Sequence, residues 1–519
     1  MDPFQHGDLQ SSYDELDLRD LDLKPYLFDL AIIGSGPAGQ KAALTAAREG
    51  ARVALIEKDP LAGGVCLNTG TIPSKSLREA VLYLTGYRQR GYYGDQYQLK
   101  DKVSTGDLIQ RTDHVIKQER WEINSELESL GVYRFVGRAR IAGRHEVCLT
   151  TGDAEECITA RSILVCVGTR TRRPNEVPFD DHNVFDSDAV FGTENQLRPL
   201  PDSIIVLGAG VIGIEYATMF AALHIPTILV DPRPNPLNFV DSCIAKLLYA
   251  HLEKSGVRLV FGDSYDKIEC RDSSSVKARV SVHLKAAGVV EADSLLFALG
   301  RVPATEGLGL EEAGVKLDKR GYIEVDEIYR TSIPSILAAG DVIGFPSLAS
   351  TSAEQGRVAA YTALQRPVEW HPESIPYGIY TIPEISMVGK TEDQCRDEKV
   401  PVFKGTCLWR DTARGKILGD LTGALKLLFR REDRKLIGVH VIGEGATELL
   451  HIGQAVMHFG GGPEYFTNTV FNYPTLAEAY KRAAHDALLD EAGRREKHGG
   501  LVEELADVAA PLEYIPWKA

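Results

Sequence analysis

Two stretches of the chain carry the same succession of apolar and polar positions. Each opens on a short apolar run, Leu30–Ile33 in one and Ile204–Leu207 in the other. A run of that length stopping at a glycine predicts a buried strand. Each then turns through spaced glycines, Gly34-Ser35-Gly36-Pro37-Ala38-Gly39 and Gly208-Ala209-Gly210-Val211-Ile212-Gly213, into a predicted helix. The first helix is alanine-rich and ends near Gly50, and the second ends before His224. A second apolar strand follows, Arg52–Ile56 or Thr227–Val230, and each closes on an acid, Glu57 or Asp231.

This spacing has a physical cause. The first glycine permits a tight turn, the second lets the backbone approach a pyrophosphate, and the third lets helix and strand pack closely. Phosphates then sit at the positive end of the helix. One such glycine pattern is weak evidence, but two of them, each followed by helix, strand and acid, are strong. The chain is predicted to bind two dinucleotides.

Outside the repeats the pattern changes. Residues 1–27 are acidic and aperiodic, with seven Asp or Glu from Asp2 to Asp22 against Arg19 and Lys24, which predicts a solvated arm. Past residue 490 a basic cluster and Gly499-Gly500 precede the amphipathic Leu501–Ala509, a second tail. At 519 residues the chain has room for two to four domains. A formal charge of −15 argues against nucleic acid as partner. No apolar run reaches the roughly 18 residues that span a bilayer, and no secretory signal is visible, so a cytoplasmic protein is expected. The eight cysteines form neither a CxxC nor a His/Cys cluster. No metal site is expected, and most cysteines, Cys166 among them, read as small buried hydrophobes in a reducing compartment.

One segment changes the picture. Gly63–Lys75, GGVCLNTGTIPSK, resembles the redox-active motif of the flavoprotein disulfide reductases, which needs two cysteines spaced C-x-x-x-x-C. Cys66 is present, but the partner position is Thr71, and a hydroxyl cannot form a disulfide. Phe471–Tyr480, FNYPTLAEAY, resembles the segment where that family carries a His–Pro acid/base. Here the pair is Tyr473-Pro474, with the downstream Glu478 retained. A tyrosine with an ordinary pKa near ~10 is poorly matched to a thiol near neutrality. Thiol partner and acid/base are therefore missing together. That combination, and the Y-P-T-x-A-E-A-Y pattern itself, resembles the soluble (Si-specific) pyridine nucleotide transhydrogenases of the same superfamily.

The resemblance covers roughly residues 28–488 and implies an α/β fold. It comprises two dinucleotide-binding Rossmann-like domains, for FAD and NAD(P), and a C-terminal α+β dimerisation domain. The implied division is 28–190 and 316–370 for FAD, 191–315 for NAD(P) and 371–488 for the interface, with tails at 1–27 and 489–519. FAD is placed on Gly34, Gly36, Gly39 and Glu57, with Asp341 of Thr331–Asp341 at the ribitol and Cys66, Thr71 and Lys75 also at the cofactor. Ile163–Thr169 and Leu295–Arg301, which contains Gly300, match the family's connecting strands. NAD(H) or NADP(H) is placed on Gly208, Gly210, Gly213, Asp231 and Arg233. Asp231 suits a ribose 2′-hydroxyl and repels a 2′-phosphate, whereas Arg233 suits the phosphate or is merely solvated, so preference stays open.

Lys75 and Glu215 match the family's catalytic ion pair near flavin N5, where a cation stabilises negative charge as the flavin is reduced. Tyr380–Glu392 and Leu436–Met457 resemble the dimerisation domain, and His451 within it reads as structural. Cys66 is read as a packing remnant, with tuning of the flavin or single-thiol sensing as alternatives. The implied activity is ping-pong hydride transfer between NADPH and NAD+ in a homodimer or larger homo-oligomer. Alternatives are a diaphorase or NAD(P)H oxidase, a dihydrolipoamide dehydrogenase-like enzyme, or a non-enzymatic flavin-bearing sensor or scaffold.

Overall fold

The computed structural model describes residues 26–94, 97–100, 102–190, 192–193, 196–197, 199–271, 279–369 and 375–494. The acidic arm lies almost wholly outside these residues, as does the C-terminal tail from 495. The described chain divides into two compact units. One draws on Met1–Gly64, Trp121–Gly168 and Pro303–Val368, the other on Val65–Arg120, Thr169–Val302 and Glu369–Ala519.

The first unit is built on five parallel strands. Their order is Tyr133–Val136, Val53–Glu57, Phe28–Ile33, Ala154–Val165 and Ile336–Ala338. Phe28–Ile33 is central and nearly all buried, as its continuous apolar run requires. Chain order reverses between Phe28–Ile33 and Ala154–Val165, the kind of switch point where open parallel sheets bind ligands. The strand Ala154–Val165 has two lives. Its C-terminal half joins the parallel sheet, and its N-terminal half pairs antiparallel with Glu146–Thr151, which pairs with Arg138–Gly143. The helices Pro37–Arg48 and Ala349–Ala363 pack closely, because a side chain at Gly356 would strike the Ala38 carbonyl oxygen at 2.1 Å.

In the second unit the same order recurs in Arg258–Phe261, Thr227–Asp231, Ile204–Leu207 and Ser294–Phe297, with Val184–Asp186, which precedes them in the chain, at the edge, all parallel. A second, antiparallel sheet runs Tyr377–Ile379, Ile385–Gly389, Leu436–Ile442, Ala424–Arg430, Val402–Leu408. The helices Ala446–His458 and Glu478–Glu491 lie on that sheet around Trp409, Phe403 and Tyr480.

One buried ionic cluster fastens the two layers of this unit. Asp241 caps the helix Ser242–Lys254, and Lys426 of the second sheet donates to both its carboxylate oxygens at 2.9 Å. Lys426 also meets Glu392 at 2.7 Å, and Glu392 pairs with Lys404. Burial opposes the charge on Asp241, yet His440 and Lys426 beside it hold its carboxyl well below the usual range. Burial likewise opposes the charge on Lys426, which Cys243, Asp241 and Glu392 raise above normal. Lys426→Ala strands a buried carboxylate, a loss of about 3–5 kcal/mol. The urea midpoint is expected to fall clearly, and an unchanged midpoint would contradict this account. Asp241's depressed carboxyl contributes fully above the ordinary aspartate pKa of about 3.9 and loses its contribution only as pH falls through the lower folded value.

Candidate functional site

In the first unit, Phe28–Ile33 ends in Gly34, whose φ is +103° and whose hypothetical Cβ would lie 2.4 Å from the Cys166 carbonyl oxygen. Only glycine fits there. A Cβ at Gly39 would lie 1.9 Å from the Gly34 carbonyl oxygen, so helix and strand meet through bare backbone. At Gly36 the same test finds nothing within 4 Å. Gly36 is the N-cap of Pro37–Arg48, and no side chain caps that helix. Uncapped amides facing open space are a phosphate cradle. The carboxylate of Glu57 accepts from the Ser35 amide at 2.9 Å and the Ser35 hydroxyl at 2.7 Å, pinning the glycine turn. Asp341 follows Gly340, takes a hydrogen bond from the Ser352 hydroxyl at 3.2 Å and opens a short 3-10 turn.

The second unit repeats this construction. Gly208 has φ +111° and a Cβ there would lie 2.5 Å from the Ala298 carbonyl oxygen. A Cβ at Gly213 would lie 1.8 Å from the Gly208 carbonyl oxygen. Gly210 caps Val211–Ala222 without a side-chain bond, and the nearest atom to its hypothetical Cβ is an Arg233 guanidinium nitrogen at 4.0 Å. Asp231 is fully buried and accepts from the Ala209 amide at 2.7 Å, as Glu57 does from Ser35. Gly300 has φ +99° and accepts from the Arg172 amide.

The Asp231 carboxylate is more occupied than the glycine pattern predicts. Arg233 donates to it twice from its side chain, at 2.9 and 2.8 Å, and once from its backbone amide. Burial pushes this carboxyl up, but the Arg233 bonds and the Ala209 amide hold it below its ordinary value. The acid that repels a 2′-phosphate is thus neutralised by its neighbour, while half of the Arg233 side chain stays exposed. Arg233→Ala removes this counter-charge. The KM for NADPH is expected to rise about tenfold relative to that for NADH, the worth of roughly one charge-assisted hydrogen bond. Equal changes for both nucleotides would contradict that.

The same unit brings Lys75 and Glu215 together. Lys75 lies near the start of Thr71–Leu84, and Glu215 in Val211–Ala222. Their side chains meet at 2.6 Å, and Glu215 is 4% exposed. The backbone amide of Tyr380 donates to the other Glu215 oxygen at 2.8 Å, and its ring lies 5.0 Å from the Lys75 ammonium. One residue thus fixes both members of the pair. Thr218 accepts from the Ile382 amide, and Arg78 donates to the Thr381 carbonyl, so the segment is anchored to both helices. Sequence reading assigned Tyr380 no role, and spacing carries no signal for one.

Cys66 is half-buried in the short helix Gly64–Asn68, and Thr71 opens the next helix. Tyr473 is 72% exposed, and the Tyr473–Pro474 bond is cis. Glu478 begins the last described helix and accepts from Arg482. His451 is exposed and bonds only locally, to Gln454. The cysteines need one correction. Cys148 and Cys157, expected to be separate, form a disulfide across adjacent strands. Among the described residues, no helix is long and apolar enough to cross a membrane.

Two uncapped glycine cradles, each at the switch point of a parallel sheet, define an α/β protein that binds two dinucleotides. The chain belongs to the pyridine nucleotide-disulphide oxidoreductase family, whose two-nucleotide domain matches residues 28–356 and whose dimerisation domain matches residues 375–484. It is 44% identical over 463 residues to a soluble pyridine nucleotide transhydrogenase of Mycobacterium bovis, a match covering 89% of this chain and 97% of that one. It is 40% identical to a protein of the same name from Salmonella paratyphi B, over 89% of this chain and 98% of the other. Among solved structures, LpdA from Mycobacterium tuberculosis superposes with a TM-score of 0.80 at 28% identity, covering 88% of this chain and 98% of that one. The HOCl-induced flavoprotein disulfide reductase RclA from Escherichia coli gives 0.77 at 26% identity, over 88% and 99% of the chains. The family's cofactor is FAD, and the open space above Gly36 fits its pyrophosphate.

Proposed function

We propose that the protein is a Si-specific, FAD-dependent pyridine nucleotide transhydrogenase catalysing NADPH + NAD+ → NADP+ + NADH. The observation that carries this reading is the selective loss at Thr71 and Tyr473. With Thr71 in place of the second cysteine, Cys66 cannot form the motif's disulfide there, while Lys75 and Glu215 still meet at 2.6 Å. The names of the relatives support the same reaction. FAD, when bound, supplies a two-electron hydride relay between one nicotinamide and the next. Gly34, Gly36, Gly39, Glu57 and Asp341 hold it, and Cys66 and Thr71 belong to its surroundings. Lys75 supplies the positive charge that stabilises its reduced ring, and Glu215 and Tyr380 keep that charge in place.

Gly208, Gly210, Gly213 and Gly300, with Asp231 and Arg233, bind both nicotinamide nucleotides in turn. NADP+ leaves before NAD+ enters, which makes the kinetics ping-pong. Residues 28–190 and 316–370 form the FAD domain, 191–315 the NAD(P) domain and 371–488 the interface of a homodimer, working in the cytoplasm. The test mixes purified protein with NADPH and thionicotinamide-NAD+ without oxygen. Parallel double-reciprocal lines and rapid reduction of the analogue are expected. Flavin bleaching without reduction of the analogue would overturn the reading in favour of a diaphorase. Turnover of lipoamide would restore the disulfide reductase.

A further inference from the structure

The strands Arg138–Gly143, Glu146–Thr151 and Ala154–Val165 form an antiparallel meander on the first unit. Val147, Leu149 and Ile158 turn one face of it into the core. On the opposite face Arg140, Cys148 and Cys157 stand side by side in register, and directly paired residues project from the same face. The two ends of the disulfide are not equivalent. Cys148, on the middle strand, is 4% exposed, whereas Cys157 is open to solvent. Arg140 meets Glu155 at 2.9 Å, and this ion pair crosses the middle strand beside Cys148.

We propose that the Cys148–Cys157 bond is a thiol–disulfide exchange site for low-molecular-weight thiols, entered at Cys157. A thiolate RS⁻ attacks the exposed Cys157 sulfur. The S–S bond breaks, and its electron pair leaves with Cys148 as a thiolate, opposite Arg140 in register, whose guanidinium can turn from Glu155 to the new anion. An electropositive neighbour lowers a thiol's pKa, and a lower-pKa thiol leaves faster. A second RS⁻ attacks the mixed disulfide, releasing RSSR and the Cys157 thiolate, and both cysteines take up protons. Two small thiols are oxidised and one protein disulfide is reduced. With RSSR in excess the sequence runs backwards.

The fold tolerates an open bond. The two strands stay paired from Glu146↔Thr159 to Thr151↔Ala154, across a turn in which Gly152 supplies φ +61°. The core contacts of Val147, Leu149 and Ile158 are made on the other face and do not involve the sulfurs. Exchange therefore belongs to the native protein and not to an unfolded one, and it is independent of the hydride chemistry proposed above.

The full-length protein is equilibrated anaerobically in buffers of graded glutathione to glutathione disulfide ratio, then acid-quenched, alkylated and mapped by mass spectrometry. The bond is expected to open reversibly with an unchanged circular dichroism spectrum. The glutathione adduct should fall on Cys157 at least about ten times as often as on Cys148. Arg140→Gln should slow opening about tenfold and Arg140→Lys should restore it, both at an unchanged melting temperature. An adduct shared equally or found on Cys148 would overturn the proposal. So would a bond that opens only in denaturant, a pair that never closes in glutathione disulfide, or an Arg140→Gln rate equal to the parent's.

Discussion

Replacing Lys75 by Met is expected to slow bleaching of the flavin by NADPH about 10²–10³-fold, the usual cost of removing one group that stabilises transition-state charge. Methionine keeps the length of the side chain but removes its charge. Glu215 then loses its 2.6 Å partner while remaining 4% exposed and bonded to the Tyr380 amide. An uncompensated carboxylate replaces a neutral pair, so the local charge falls from zero to negative where the proposed mechanism calls for a cation. Stopped-flow absorbance at the flavin band measures the step directly. A rate within twofold of the parent's would remove Lys75 from the chemistry. Loss of the yellow colour on purification would instead assign Lys75 to holding the cofactor.

The second large effect comes from a matched pair of substitutions. Gly213→Ala is expected to leave a yellow protein that NADPH no longer bleaches, with the KM for both nucleotides raised at least about a hundredfold. Gly39→Ala is expected to leave a colourless one. Each new methyl group would sit under 2 Å from a backbone carbonyl oxygen, that of Gly208 or Gly34. Neither oxygen can move without displacing its strand. The helix must shift outward, and overpacking of this kind costs typically 1–3 kcal/mol or more. The shift also takes the helix amides out of line with the phosphates. Both substitutions remove the same contact, so their different phenotypes assign each cradle its ligand. A bleachable Gly213→Ala protein, or a yellow Gly39→Ala protein, would reverse the assignment.

What could be read in advance follows from the range of the interactions. Both glycine turns were legible because the Gly39–Gly34 and Gly213–Gly208 contacts and the closing acid all fall within one strand–helix–strand unit, although the Cys166 and Ala298 carbonyls that also exclude a side chain at Gly34 and Gly208 come from distant strands. Lys75 and Glu215 were legible only through resemblance, since they are 140 residues apart. The Tyr380 contact, 165 residues from Glu215, left no trace in local pattern. Asp231 was read as open to a ribose, but a carboxylate beside an arginine two residues on finds its partner within its own turn. The Cys148–Cys157 bond did have a local signal. Gly152-Asp153 is a hairpin turn, and the two cysteines lie equidistant from it, so antiparallel pairing places them opposite one another. Cysteine spacing by itself does not show the pairing; the turn between the two residues does.

Glu57 and Asp231 each hold a glycine turn by a backbone amide, at 2.9 and 2.7 Å. A loop pinned by the chain's own hydrogen bonds loses little conformational entropy when a ligand arrives. Such a pocket can be filled and emptied without waiting for the chain to reorganise. For the ping-pong reaction proposed above, which releases one nucleotide before accepting a chemically similar one, rapid exchange matters more than tight retention. The buried Asp231 thus bears on residence time: it lets affinity stay modest without making the site floppy.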